Sequence, residues 1–309
     1  MCYRFSAVLT CALFLCSVSI FGFSGDEGGA SDQLNREGFI APNRIVSGHD
    51  ITFTLPLLEL GASVVGSFAT LDQGELVIRG LDGLDVDVKD EISFVGSKPL
   101  DLEKIALLKP DLLILREGDS WLRELHAKIA PSVYIPHTEA LEVYSRVAEV
   151  IGKTALFEKK QEEYFERVQI LKESVSLDNS PTFSIVIFRN GQARYARKIG
   201  VLWQVLVDLG LKPSKLAEHQ IPASVIPLSA EALMDIDADI IFQLYDQNAG
   251  ETPEAAISAA ESIFPNYCHF LEGCRKGMRV MVPHDESFEV SFQGLNRVID
   301  MLQPILLRL

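Results

Sequence analysis

Positive side chains recur in this chain just beyond short apolar runs that read as strands. Lys98 lies after Phe94-Val95-Gly96, and Arg116 directly follows Asp111 to Leu115. Arg189 follows Phe183 to Phe188, with Arg194, Tyr195 and Arg197 in what reads as the same loop. Open α/β sheets bind ligands outside the carboxyl ends of their strands, so cations placed there would converge on an anion. Guanidinium and ammonium groups hold carboxylate or catecholate oxygens well, because the hydrogen bonds formed are charge-assisted. The same residues could instead neutralise acids on the surface.

Patterns that would carry catalysis do not assemble. Gly152-Lys153-Thr154 lacks the earlier glycine of a phosphate loop, and Val147 stands in its place. No glycine-rich dinucleotide fingerprint follows a strand, and no Gly-x-Ser-x-Gly elbow occurs. His49, His126, His137, His219, His269 and His284 are scattered. Only His284-Asp285-Glu286 forms a local cluster, which could meet a bare metal ion or sit on a solvated loop. The expectation is a binding protein, not an enzyme, with no resident metal or cofactor.

The elements that must position these residues are visible as a repeat. Leu102 to Leu115 and Ala230 to Gln243 each run from an acidic helix into a buried strand. Glu103/Glu231, Ile105/Leu233, Leu108/Ile236 and Asp111/Asp239 stand in register, and each copy follows a leucine-glycine helix ending, at Gly61 and Gly210. Two copies of one α/β unit predict two lobes, and a cleft between lobes is the usual place for a small ligand.

The first half reads as a strand at Arg44 to Ser47, a helix at Thr52 to Leu60 and a strand at Val64 to Gly66. A glycine-punctuated loop with short extended pieces spans Gly74 to Glu91. The strand at Phe94, the repeat unit, a helix at Trp121 to Ile129 and a strand at Ser132 to Ile135 continue the alternation, which predicts mostly parallel sheets. Glu139 to Leu177 contains no proline, and Gly152 divides it into two helices. The second would span roughly 35 Å at 1.5 Å per residue, with Leu156, Tyr164, Phe165, Val168 and Leu171 as a partial apolar face. A linker without Gly, Ser or Pro punctuation would be stiff. The fold class is therefore α/β: two Rossmann-like lobes bridged by one long helix. The expected division is 44–138 for the first lobe, 139–177 for the linking helices and 178–309 for the second lobe.

Residues 1–24 read as a signal peptide, with Ala7 to Phe23 apolar and small residues at Gly22 and Ser24. Residues 25–43 read as a flexible leader. Export to the periplasm follows from that reading. Of five cysteines only Cys268 and Cys274 would remain, and their close spacing in an oxidising compartment suggests a disulfide. The formal charge of −15 disfavours nucleic acid and anionic membrane as partners.

The pieces Arg44 to Ser47, Leu60-Gly61-Ala62, Val64 to Gly66, Asp101 to Ile114 and Leu228 to Leu233 together resemble one family. It is the periplasmic substrate-binding proteins of ATP-driven (ABC) importers for ferric siderophores, haem and cobalamin. Ile78-Arg79-Gly80 and Phe94 to Gly96 resemble its iron-siderophore branch. The resemblance implies a monomer that clamps its ligand between two lobes. It also implies one glutamate per lobe, here Glu103 and Glu231, that docks onto the membrane permease, which is coupled to an ATPase. The implied ligand positions are His49, Asp50, Lys98, Arg116, Arg194, Tyr195, Tyr245 and Phe288. Cations at Lys98, Arg116 and Arg194, where cobalamin and some hydroxamate binders carry aromatic residues, favour an anionic ferric siderophore. Iron would enter only as part of that chelate.

Overall fold

Five parallel strands form the first sheet of this computed structural model, which describes residues 41–72, 75–86, 92–175, 180–218 and 223–308. The expected signal peptide, most of the leader and His219 lie outside the described residues. The strands are β1 (Ile45–Ser47), β2 (Val64–Ser67), β5 (Ser93–Phe94), β6 (Leu112–Arg116) and β7 (Ser132–Ile135), in the order β5-β2-β1-β6-β7. A short antiparallel pair, β3 (Thr70–Asp72) and β4 (Glu75–Val77), occupies part of the expected loop. Strand β6 is apolar at successive positions because both its faces are covered. Leu112 and Ile114 join the main core, while Leu113 and Leu115 pack with Val46, Val95 and Ile105 on the other face. Full burial of each such side chain stabilises the fold by about 1.5–3 kcal/mol.

The second sheet is mixed. Strands β8 (Thr182–Arg189), β12 (Ile240–Tyr245) and β13 (Arg279–Pro283) run parallel, as does the short β10 (Lys212–Pro213) beside β8. Strands β9 (Gln192–Ala196) and β11 (Val225–Leu228) are antiparallel additions at one edge. The expected loop after β8 is therefore a hairpin. Its two-residue turn is Asn190-Gly191, with φ of 54° and 68°, the pair of positive values that a tight hairpin turn demands.

The repeat has a structural meaning at its aspartates. Asp111 accepts hydrogen bonds from the backbone N–H of Asn43 (2.8 Å) and Arg44 (3.0 Å), fixing the entry to β1. Asp239 accepts from the N–H and hydroxyl of Thr182 (2.8 Å each), fixing the entry to β8. Each lobe thus anchors its first strand on the same residue of the repeated unit.

The linking helices are Ala140–Val150 and Thr154–Ser174, separated at Gly152 with φ of 70°. The buried stripe of the longer one is Phe157, Tyr164, Val168 and Leu171. Leu156 and Phe165, expected on that stripe, are exposed, because the face is set one position away by packing onto the helices Ala140–Val150 and Phe292–Leu306. Tyr164 donates to Asp208 (2.7 Å), and Tyr144 and Phe292 meet edge to face at 4.7 Å. One continuous core runs from Ile45 and Ile114 through Tyr144 and Phe157 to Ile185 and Phe242, so the lobes share a hydrophobic interior.

Polar contacts then pin the lobes together. The Glu59 carboxylate accepts from the N–H groups of Phe292 (2.8 Å) and Gln293 (3.0 Å), capping the C-terminal helix from the first lobe. Val290 N–H donates to the Ile51 carbonyl, and Arg297 to that of Gly83, both at 2.8 Å. Gly200 permits close approach: a Cβ there would lie 2.2 Å from the Ser287 carbonyl oxygen, and its φ is 72°. Cys268 and Cys274 are bonded through their sulfurs, with Cα atoms 5.0 Å apart.

Candidate functional site

All five strands of the first sheet run the same way, so their carboxyl ends share one edge. Each delivers a side chain to it. His49 follows β1, Phe68 follows β2, Lys98 follows β5, Arg116 ends β6 and His137 follows β7. His49 stacks on Phe68 with centroids 5.3 Å apart and an interplanar angle of 14°, and its ring centre lies 6.1 Å from that of His137. The Arg116 guanidinium is braced by Asp119 through bonds of 3.1 and 3.2 Å, while Lys98 is exposed at the rim.

These groups lie close enough to bias one another's charge. Burial, and then the charges of Arg116 and Lys98, hold His137 down at about 4. His49 is also held well below the usual imidazole range, first by burial and then by Arg79, His137, Arg116 and Lys98. The Lys98 ammonium is lowered by desolvation and by Arg116 and Arg79, against the opposing pull of Asp119. Two neutral imidazoles therefore sit within a field made by three cations. Such a field attracts an anion.

Arg79 joins the two lobes beneath this edge. Its Nε and Nη2 donate to Asp50 at 2.8 and 2.7 Å, and its Nη1 donates to Asp285 at 2.8 Å. Asp50, expected among ligand-contacting residues, is instead fully buried and spent on Arg79 and the Ile51 N–H. The His284-Asp285-Glu286 cluster is not a solvated loop. It opens the helix His284–Phe288, and Asp285 is buried against Arg79, Asn248 and His284 Nδ1. Burial would raise the Asp285 carboxyl, but those partners outweigh it and hold it below the usual range. No group of three or more metal-ligating acids, histidines or cysteines occurs among the described residues.

The second lobe presents its predicted residues differently. Arg189 is paired with Asp246, and Arg197 is buried and donates to the Ala217 carbonyl at 2.7 Å. Arg194 lies on β9 and donates to the Gln192 side chain at 2.6 Å. Tyr195, its neighbour, points to the opposite face. It is fully buried in the second lobe's core, and its hydroxyl accepts from Ser214 at 3.3 Å, so it presents no surface to a ligand. Phe288 is likewise a core residue, 6% exposed and edge-on to His284 at 4.5 Å. Tyr245 ends β12 and is half-buried.

Glu103 and Glu231 are exposed in the first turns of the helix Leu102–Leu107 and the 3-10 turn Glu231–Ile236. A cavity of about 590 Å³ adjoins Arg79 where the lobes meet, with Phe94, Asn248, Asp285 and Glu289 in its wall. Burial pushes the Glu289 carboxyl up to about 7, against the opposing charge of Arg297.

Sequence reasoning passed over three residues of this region. His137 obeys the same carboxyl-end rule as the cations, so extending that rule to histidines would have found it. Phe68 follows β2 in the same way. Arg79 carries no such signal, since its partners lie in both lobes.

No curated protein sequence matches the chain significantly. Among solved structures, the chain is similar to SirA from Staphylococcus aureus complexed with staphyloferrin B, at 21% identity and a TM-score of 0.72, over 87% of this chain and 94% of that one. It is similar also to the FhuD protein from S. pseudintermedius, at 20% identity and a TM-score of 0.71, over 87% and 92%. FhuD2 from S. aureus with bound ferrioxamine B shares 19% identity with a TM-score of 0.65, over 86% and 99%. At these identities the likeness is one of fold. The family model described as periplasmic binding protein matches residues 62–255, well over half of the chain, and the protein belongs to that family.

Proposed function

We propose that this protein captures an anionic ferric siderophore in the periplasm and delivers it to an ABC importer of the inner membrane. The observation that carries this reading is the convergence of Lys98, Arg116 and the partly screened Arg79 around one sheet edge in a strongly acidic chain. Chelate oxygens meet the guanidinium and ammonium there, while the half-buried Tyr245 offers apolar surface. Ligands named in the similar structures, staphyloferrin B and ferrioxamine B, support a chelate as the cargo. The capture is non-enzymatic, the protein acts as a monomer, and iron arrives only inside its chelator. A cleaved leader takes it across the membrane, and Glu103 and Glu231 meet basic patches of the permease, whose ATPase drives uptake.

Trp121 is 76% exposed at the carboxyl end of β6, whereas Trp203 is buried, so intrinsic fluorescence has one accessible reporter. Titration should show tight binding of ferric carboxylate or catecholate siderophores and none of cobalamin. Absence of binding by every ferric siderophore, or equal affinity for cobalamin, would refute the reading.

A further inference from the structure

One carboxylate oxygen in the wall of the interlobe cavity is left without a partner. Glu289 is fully buried. Its Oε1 accepts from Ser291 Oγ at 3.0 Å and from the Arg297 guanidinium, while Oε2 has no hydrogen-bond partner among the described residues. A Cβ on Gly80 would come within 3.1 Å of that oxygen, so glycine there keeps it open to the cavity that both residues line. Buried polar atoms are normally paired, and an ionised carboxylate can only accept, so the partner called for is a donor.

The walls around Oε2 narrow the class of donor. Carboxylates are in modest surplus: Asp82, Asp285, Glu286 and Glu289 line the cavity together with Arg79 and Arg297. Both guanidinium groups are already committed, Arg79 to Asp50 and Asp285, Arg297 to Glu289 Oε1 and the Gly83 carbonyl. Burial, against the charge of Arg297, favours a proton on Glu289, and Glu59 and Glu286 add to that pressure. An arriving cation relieves it. A bare metal ion does not fit, because no three acids, histidines or cysteines converge among the described residues. The first lobe faces these acids with an apolar wall of Leu76, Ile78, Ile92 and Phe94. A ligand that suits both walls is an alkyl chain ending in N–H donors, and a cavity of about 590 Å³ is in the range that holds small molecules.

We infer that this cavity is a second binding site, opposite in charge to the sheet edge, and that it takes an aliphatic primary ammonium. The ammonium donates to Glu289 Oε2, and its chain lies on the first-lobe wall. Lys98 and Arg116 repel the same group at the sheet edge, so the two sites select opposite charges. The ammonium is either a free amine or a pendant aminoalkyl arm of the captured chelate. Only the second source rests on the ferric-siderophore reading above.

Ligand-detected NMR of the protein with n-pentylammonium and n-pentanol, at a pH of about 8 where Glu289 is ionised, tests the site. The ammonium should bind about tenfold or more tightly than the alcohol, the scale of a charge-assisted hydrogen bond. Glu289→Gln keeps the size of the side chain but loses its charge, and should erase that preference. Glu286 is exposed, so Glu286→Gln leaves the core intact and should weaken ammonium binding about twofold. A ferric catecholate with a free aminoalkyl arm, compared with its N-acetylated form, separates the two sources. If wild type prefers the free arm and Glu289→Gln does not, the arm is the occupant. If pentylammonium binds and the arm makes no difference, the occupant is a free amine. No preference for the ammonium in either pair, or a preference that survives in both variants undiminished, would overturn the inference. Failure of the acetylated chelate to bind would instead remove the ferric-siderophore reading and leave the cavity's ligand standing.

Discussion

The two lobes are built from one repeated unit, yet the carboxyl end of one sheet is positive and that of the other is close to neutral. In the first lobe, Lys98 and Arg116 crowd two histidines and depress their protonation, and Arg116 also lowers the Lys98 ammonium. In the second, charges are cancelled: Arg189 sits on Asp246 within the lobe, Asp285 is met by Arg79 of the first lobe, and Glu289 is pushed by burial toward its neutral form. A duplicated architecture therefore does not imply a duplicated binding role. One lobe supplies the field, and the other supplies a neutral wall that does not oppose it.

Removing the residue that silences the second lobe should have the largest effect. Arg79→Ala leaves Asp50 and Asp285 buried without their cation, and loss of one partner from a buried pair costs about 3–5 kcal/mol. Chemical denaturation should show that loss of stability. An unchanged midpoint would mean that the pairs are not the clasp between lobes.

Affinity should divide the lobes next. Lys98→Ala and Arg116→Ala should each weaken capture of a ferric catecholate by about 1.5–3 kcal/mol, the scale of a charged hydrogen bond. Arg189→Ala should leave it unaltered, since that guanidinium is already spent on Asp246. Titration calorimetry that found the order reversed would move the field to the second lobe.

A smaller effect concerns pH. The Glu289 carboxyl is raised to about 7 in the folded protein, from an ordinary value of 4.5. The native state therefore holds this proton more tightly than the unfolded chain. Stability should fall as pH rises from about 4.5 to about 7, by at most about 1.4 kcal/mol per unit. His137, lowered from 6.5 to about 4, acts in the opposite sense, with stability rising as pH climbs through that span. Glu289→Gln should remove the opposing slope and leave the combined rise from His137 and His49 in thermal melts from pH 4 to 7. Identical profiles for variant and wild type would show that Glu289 is not held neutral.

The smallest effect on affinity, none, is expected where the lobes remain alike. Glu103→Ala combined with Glu231→Ala should preserve siderophore binding and abolish uptake into cells or reconstituted vesicles. Normal uptake would disprove docking through these acids.

Much of this fold was legible in the sequence because its signals are local. Alternating apolar runs gave the parallel strands, Gly152 gave the break before the long helix, and the register of Asp111 with Asp239 gave the repeat. The site was legible on one lobe only. Lys98 and Arg116 obey a rule about strand ends that needs nothing beyond the strand itself. The second lobe misled because Asn190-Gly191 turns the chain back into a strand. Alternation on that strand then sends Tyr195 into the core while Arg194 takes the other face. Arg79 was legible only as part of a motif; its role was not, since Asp285 is brought to it only when the lobes pack.

The carboxylate of Glu59 caps a helix that begins only at Phe292. A chain is synthesised from its amino end, so the first lobe meets this partner almost last. Until the final helix arrives, Glu59 is a charge without its backbone donors, and the face of the linking helices against which Phe292 packs stays open to water. Closure of the shared interior is thus deferred to the end of synthesis by a contact of very long range, the kind that slows folding. In the export proposed above, that delay works as a timer.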